Sequence, residues 1–257
     1  MGVVNVTPDS FHAASRTSVT REAIERGRRL FEEGAGIVDV GGESTRPGAT
    51  PVDEAEELAR VVPVIEALAG LGRVSVDTVK LAVARAAVTA GATLLNDVQG
   101  SLGSLAAELE VGWVAMHHRG IPAQAVPEPA GPGLLDEVRR CLLDAARAAR
   151  ALGVTELYVD PGIGFGKGAW DNLALIARLD ELCEESHAEG VGVLVGASRK
   201  RFLGSLPHGA PLDADNRFEG SLAVATYAMA CGVDVVRVHD VAATAQAAAL
   251  VADGEAA

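Results

Sequence analysis

Residues 74–97 read VSVDTVKLAVARAAVTAGATLLND, a strand, a helix and a second strand in succession. Val74 and Val76 alternate with Ser75 and Asp77, the period of a half-buried strand. Lys80–Ala90 then spaces its apolar residues for one face of a helix, and Leu94–Asp97 returns as a strand ending in polar groups. The same unit recurs in both directions. Strands are predicted over Gly2–Val6, Ile37–Val40, Val74–Asp77, Leu94–Asp97, Trp113–His117, Leu157–Asp160, Gly192–Val195 and Val235–His239. Helices are predicted over Arg21–Glu33, Val52–Leu71, Lys80–Ala90, Gln99–Glu110, Leu134–Leu152, Asn172–Glu189 and Ala242–Ala252. Repeated βα units over 257 residues predict an α/β chain folded as one (β/α)8 TIM barrel, a single domain spanning 1–257. The alternative, an open doubly wound sheet, asks for a glycine-rich turn after its first strand, and Asn5–Phe11 contains no glycine. Arg119–Gly133 and Phe202–Arg217 carry Pro and Gly and read as loops on the rim.

Composition narrows the class of function. Hydrophobic residues at 49% can build a core, and a net charge of −13 disfavours a nucleic acid or an anionic membrane as partner. The uncharged run Gly220–Val233 is too short to span a bilayer. Met1 leads directly into a strand pattern rather than a signal peptide, and Val6 occupies the position a myristoylation signal reserves for Ser or Thr. Cys141, Cys183 and Cys231 are far apart and odd in number, which fits reduced thiols in a cytoplasmic enzyme.

The strand ends carry the chemistry. Asn5, Asp39, Asp77, Asn96, His117, Asp160, Arg237 and His239 close predicted strands, and Ser198 and Lys200 lie just past the seventh. In a barrel this rim builds the active site over an apolar interior. Any one such Asp or Asn is as readily a cap for the next helix. Asp77, Asn96 and Asp160 suit a ligand with an amidine-like edge, as in a guanine or pterin ring, because Asn96 both donates and accepts. The competing assignment pairs these acids with Arg199 or Arg237 inside the protein. Arg46, Lys200, Arg237 and His239 gather cations on an acidic chain, and a phosphate or diphosphate explains that better than a solvated rim does. Thr45 adds a hydroxyl donor there. Asn5 offers an amide oxygen to Mg2+, whose other ligands would be water and phosphate. Gly162–Lys167 imitates a phosphate loop, but Pro161 breaks the pattern. Cys141 and Cys183 sit in helical patterns and read as apolar filler.

Eight ordered motifs carry a family resemblance. They are Met1–Phe11, Ile37–Gly48, Val74–Thr78, Leu95–Val98, Asp160–Lys167, Val195–Lys200, Arg217–Ala223 and Val236–Val241. Over nearly its whole length the chain resembles dihydropteroate synthase, the pterin-binding barrel of folate biosynthesis. The resemblance implies a transferase that joins p-aminobenzoate to 6-hydroxymethyl-7,8-dihydropterin diphosphate and is a sulfonamide target. It implies Asp77, Asn96, Asp160 and Lys200 on the pterin with Phe165 nearby, and Asn5 at Mg2+. Thr45, Arg237 and His239 would meet the diphosphate, and Phe11, Arg46, Pro47 and Ser198 the aminobenzoate. Lys200, Arg237 and His239 are the catalytic candidates. The apolar runs Gly220–Val233 and Ala242–Ala252 suit a helix-mediated homodimer of the kind the family forms.

Some residues depart from the family pattern. His12-Ala-Ala-Ser15 stands where Ser-Asp-Gly-Gly is common, His118 where Met is frequent, and Arg201 where a small hydroxyl residue is frequent. Altered aminobenzoate or sulfonamide handling is the consequence expected of the first change. The family's upstream segment has no counterpart before Met1, so either the barrel bottom is thinly covered or the native start lies upstream. The alternatives are a repurposed pterin-binding paralogue, a pterin-barrel methyltransferase, or an aldolase using Lys200 as a Schiff base.

Overall fold

The computed structural model describes residues 1–7, 16–44, 49–120, 131, 133–205 and 211–255. Eight parallel strands follow one another in chain order: β1 (Gly2–Asn5), β2 (Ile37–Gly41), β3 (Arg73–Asp77), β4 (Leu94–Asp97), β5 (Gly112–Met116), β6 (Leu157–Asp160), β7 (Gly192–Val195) and β8 (Val235–Val236). The circle closes between β8 and β1. The Val3 N–H donates to the Val238 carbonyl at 3.1 Å, and the Val238 N–H to that of Met1 at 2.9 Å. The predicted (β/α)8 barrel is therefore present.

Helices α1 (Arg16–Glu32), α2 (Glu54–Leu68), α3 (Leu81–Thr89), α4 (Gly103–Glu108), α5 (Leu134–Ala151), α6 (Ala169–Ile176), α7 (Leu179–Ala188), α8 (Phe218–Ala230) and α9 (Val241–Glu255) surround it. Strand alternation divides the apolar residues into two layers. Val38, Val40, Val74, Val76 and Leu95 face the helices and pack with Leu30, Ile65 and Leu68. Each such fully buried side chain contributes about 1.5–3 kcal/mol. The opposite faces of the strands supply a smaller inner cluster, Ile37, Leu94, Val114 and Leu194 with Met1, Tyr158 and Val235 against it. This apolar plug fills only part of the interior. Above it on the same faces stand Asp39, Ser75 and Asn96, all buried, so the apolar interior expected below the rim gives way to polar groups in its upper part.

Several boundaries differ from expectation. The fifth strand stops at Met116, and the eighth keeps only Val235–Val236 before a lone bridge at Val238. The continuous helix predicted over Asn172–Glu189 is two helices. Arg178 leaves the helical region (φ −125°), where its guanidinium grips Glu181 at 2.6 and 2.7 Å, and α7 restarts against β7. Phe202–Arg217 contains two short 3-10 turns, Arg201–Gly204 and Ala214–Asn216. Cys183 is buried as filler, but Cys141 is exposed on α5. No helix among the described residues is long and apolar enough to cross a membrane.

Candidate active site

Register places the polar strand ends at matched heights. Gly41 pairs with Asp77 and Asp77 with Asn96, while Asp39 and Ser75 sit side by side one step below. Arg237, just past β8, is held at its backbone by the Val195 carbonyl, 2.9 Å away. Its guanidinium crosses the barrel. Nε donates to Asp39 Oδ2 at 2.7 Å and Nη2 to Asp77 Oδ2 at 2.8 Å. Asn96 Nδ2 donates to the same Asp39 oxygen at 3.0 Å. Among the described residues, Asp39 Oδ1 and Ser75 Oγ are buried without a hydrogen-bond partner, and Asp77 Oδ1 accepts nothing.

Two carboxylates thus share one guanidinium, and the electrostatics follow. Burial pushes the Asp77 carboxyl up to about 7 against the pull of Arg237, with the Asp39 charge adding to the rise. Burial opposes the charge on Arg237, but Asp39 and Asp77 outweigh it and hold its pKa above the ordinary value.

The far wall comes from β6 and β7. Asp160 Oδ1 accepts from the Gly162 N–H at 2.7 Å. Burial raises its pKa while Lys200 opposes the rise. The Lys200 ammonium donates to the Ile163 carbonyl and stands 4.3 Å from the centroid of the Phe165 ring. Burial lowers its pKa to about 8, with Asp160 pulling the other way. Ser198 Oγ lies 3.0 Å from His239 Nδ1 and accepts from the His239 N–H at 3.2 Å. Between Ser198 and Lys200, Arg199 takes a left-handed backbone (φ 58°), held by its guanidinium on Asp240 at 2.8 Å and its N–H on Ser221 at 2.9 Å.

Asp77, Asn96, Asp160, Phe165, Ser198, Lys200, Arg237 and His239 therefore all stand where strands or their following loops open at one end. The internal pairing of acids with Arg237 holds for Asp77 and, below it, Asp39. Asp160 instead caps its own loop. Asn5 ends β1 beside Gly41, half-buried on the same rim. Phe11, Thr45, Arg46 and Pro47, and the His12–Ser15 segment, lie outside the described residues. His117 is not part of the mouth, because alternation after Met116 turns its ring outward, where Nε2 is 3.4 Å from Glu137 Oε1 on α5.

Some groups that shape the mouth were not foreseen. Asp39 was noted only as a strand end, although it sits two residues before Gly41 on the inward face, as Ser75 sits before Asp77. The Lys80 ammonium clasps Glu43 and the buried Glu57, and Thr78 Oγ1 donates to Glu57 Oε1 at 2.7 Å. This clasp roots the segment after β2. Beside it opens a cavity of about 120 Å³ lined by Glu43, Ser44, Glu57, Asp77, Thr78 and Gln99 among others. A larger recess of about 560 Å³ is formed by α1 and α2 side chains alone and contains no strand-end residue.

No cluster of three or more His, Cys, Asp or Glu suited to a metal occurs among the described residues. Asn5 contributes a single hard, neutral oxygen. That donor fits a Mg2+ ion whose charge is balanced by a phosphorylated substrate and whose shell is otherwise water.

The chain matches the family described as pterin binding enzyme over residues 1–239. It is 44% identical to the dihydropteroate synthase of Mycobacterium leprae over 259 aligned residues, covering 96% of this chain and 90% of that protein. Among solved structures it resembles Xanthomonas albilineans dihydropteroate synthase with 4-aminobenzoic acid, at 44% identity and a TM-score of 0.89, covering 100% of this chain and 93% of that one. The same enzyme in complex with 7,8-dihydropteroate matches at 41% identity and a TM-score of 0.85, with coverage of 100% and 93%.

Proposed function

The chain belongs to the pterin-binding enzyme family, among its dihydropteroate synthases, and from that premise we propose how its residues divide the work. The activity is a transfer. The aniline nitrogen of p-aminobenzoate bonds to the pterin methylene, the methylene–oxygen bond to diphosphate breaks, and the amine proton leaves, giving 7,8-dihydropteroate.

Asp77 and Asn96 hold the amidine edge of the pterin, with Asp77 Oδ1 available while Oδ2 keeps Arg237. Asp160 and Lys200 take the opposite side of the ring, above Phe165. Arg237 and His239, with Thr45, take the diphosphate. Ser198, Phe11, Arg46 and Pro47 take the aminobenzoate. Asn5 holds Mg2+, which supplies charge neutralisation for the departing diphosphate.

An aniline is neutral at pH 7 and already nucleophilic, so the site needs no strong base. The barrier lies in losing diphosphate, and fixed cations at the leaving oxygens lower it. Departure precedes amine attack. Tight aminobenzoate binding without pterin or diphosphate present would overturn that order.

The observation that carries this assignment is the Arg237 guanidinium spanning Asp39 and Asp77 beside Lys200 and Phe165, which sets an acceptor wall and a cationic rim in one mouth. Diphosphate release from the pterin diphosphate, measured with and without p-aminobenzoate in Mg2+, tests it. Release that rises with aminobenzoate and yields dihydropteroate supports it, and pterin binding with no dihydropteroate formed refutes it.

The chain works as a cytoplasmic homodimer. Support for the dimer is the exposure of Tyr227 on α8 and Leu250 on α9, adjacent helices of small apolar residues. Sedimentation at micromolar concentration distinguishes monomer from dimer.

A further inference from the structure

The Gly162–Lys167 segment, which fails as a phosphate loop, is built around its own lysine. Lys167 is 5% exposed and points inward. Its ammonium donates to the carbonyls of Gly162 at 2.9 Å, His117 at 3.1 Å and, less closely, Phe165 at 3.4 Å. Three N–H donors meet three backbone carbonyls, one of them from the loop after β5. Asn172, wholly buried at the start of α6, braces the other side. Its Oδ1 accepts from the Gly164 N–H at 2.6 Å, and its Nδ2 donates to Lys167 O at 3.2 Å and Gly168 O at 2.7 Å. The Arg119 N–H adds a bond to the Phe165 carbonyl at 3.2 Å.

What this brace presents is the pterin wall. Gly162 gives its N–H to Asp160, Ile163 gives its carbonyl to Lys200, and Phe165 lies under the Lys200 ammonium. Burial draws the Lys167 pKa down to about 7, a desolvation cost that buys nothing unless its contacts matter. Neither Lys167 nor Asn172 touches the mouth directly.

We propose that Lys167 and Asn172 are positioning residues for the pterin, locking the loop after β6 so that Asp160, Ile163 and Phe165 set the place of Lys200. This rests on the assignment of the mouth as a pterin site.

The test compares full-length wild type with Lys167→Met, Lys167→Arg and Asn172→Ala. Calorimetry gives the Kd of 6-hydroxymethyl-7,8-dihydropterin diphosphate in Mg2+. Steady-state kinetics at saturating pterin give the KM of aminobenzoate, and thermal melts report folding. Lys167→Met and Asn172→Ala are expected to raise the pterin Kd roughly 30-fold while the aminobenzoate KM stays within about twofold, with Lys167→Arg recovering most of the loss. If Lys167→Met does not fold, Asn172→Ala and Lys167→Arg decide by the same comparison. Folded variants that bind pterin like wild type, or in which both parameters move together, overturn the inference alone. A wild type that does not bind the pterin overturns the functional assignment and the inference with it.

Discussion

The guanidinium of Arg237 meets the carboxylate of Asp77 at 2.8 Å from strands three places apart around the barrel. Asp39 holds the same guanidinium at 2.7 Å, so one cation serves two acids, one fully and one largely buried. Such an imbalance costs stability and is kept for binding. Asp77→Asn preserves shape and removes the excess charge. We expect its Tm to equal or exceed that of wild type while pterin affinity falls about 100-fold, near 3 kcal/mol. Calorimetry with a thermal melt checks this, and a fall of several degrees in Tm would contradict it.

The alkaline limb of activity is assigned to Lys200, whose pKa burial lowers to about 8. kcat/KM for the pterin diphosphate should decline above pH 8, and Lys200→Arg should show no such limb below about pH 10. Stability moves the other way. The unfolded chain, with its lysine near 10.5, binds more protons than the folded one between pH 8 and 10.5. The contribution of Lys200 to stability therefore rises with pH across that window. Urea unfolding of wild type and Lys200→Met at pH 8 and pH 10 isolates it, because the gain of wild type over the variant should grow with pH.

Gly162 has φ +66°, and a Cβ there would fall 1.8 Å from the His117 carbonyl oxygen. Both the left-handed backbone and the contact forbid a side chain. Gly162→Ala should lower stability by about 3 kcal/mol or more and abolish measurable pterin binding, as read by urea titration and calorimetry.

Chelation separates the two halves of the substrate site. Excess EDTA should stop turnover yet leave the Kd of 6-hydroxymethylpterin, which lacks the diphosphate, unchanged. Asn5→Ala should raise the Mg2+ concentration for half-maximal rate about tenfold, since one of six ligands becomes water. A chelator-insensitive rate would remove the metal from the account.

The barrel was legible because its strands announce themselves twice, by β-branched alternation and by polar residues at or just past most of their ends. Asp77, Asn96, Asp160 and Arg237 stand on the mouth for that reason. Two things escaped. The choice of partner for Asp77 was open from residue types alone, because a guanidinium and an amidine-edged ligand present the same paired donors. The Lys80–Glu43–Glu57 clasp was invisible because Lys80 and Glu57 read as ordinary polar positions of helices, and the packing of α2 beneath the β3 exit buries Glu57. The break at Arg178 was hidden by an apolar period that continues unbroken from Leu175 to Leu179. His117 shares the helix-facing side of β5 with Trp113 and Ala115, and residue types alone do not say which face of a strand turns inward.

The closure of the barrel carries its own consequence. β8 contributes two ladder residues, and its union with β1 rests on the Val3–Val238 and Val238–Met1 hydrogen bonds around one bridge and on the Met1 ammonium, which donates to the Val236 carbonyl at 2.9 Å. Arg237 and His239 flank that bridge, and Asn5 lies three residues beyond its partner Gly2. The barrel is thus a coil of strands with a seam, and the residues proposed to meet the diphosphate and its metal are sewn into the seam. Warming should unpick it there before the staves β2 to β6 part. Amide exchange at Val3 and Val238 would then quicken, and turnover would fade, at temperatures where circular dichroism still reports an intact fold.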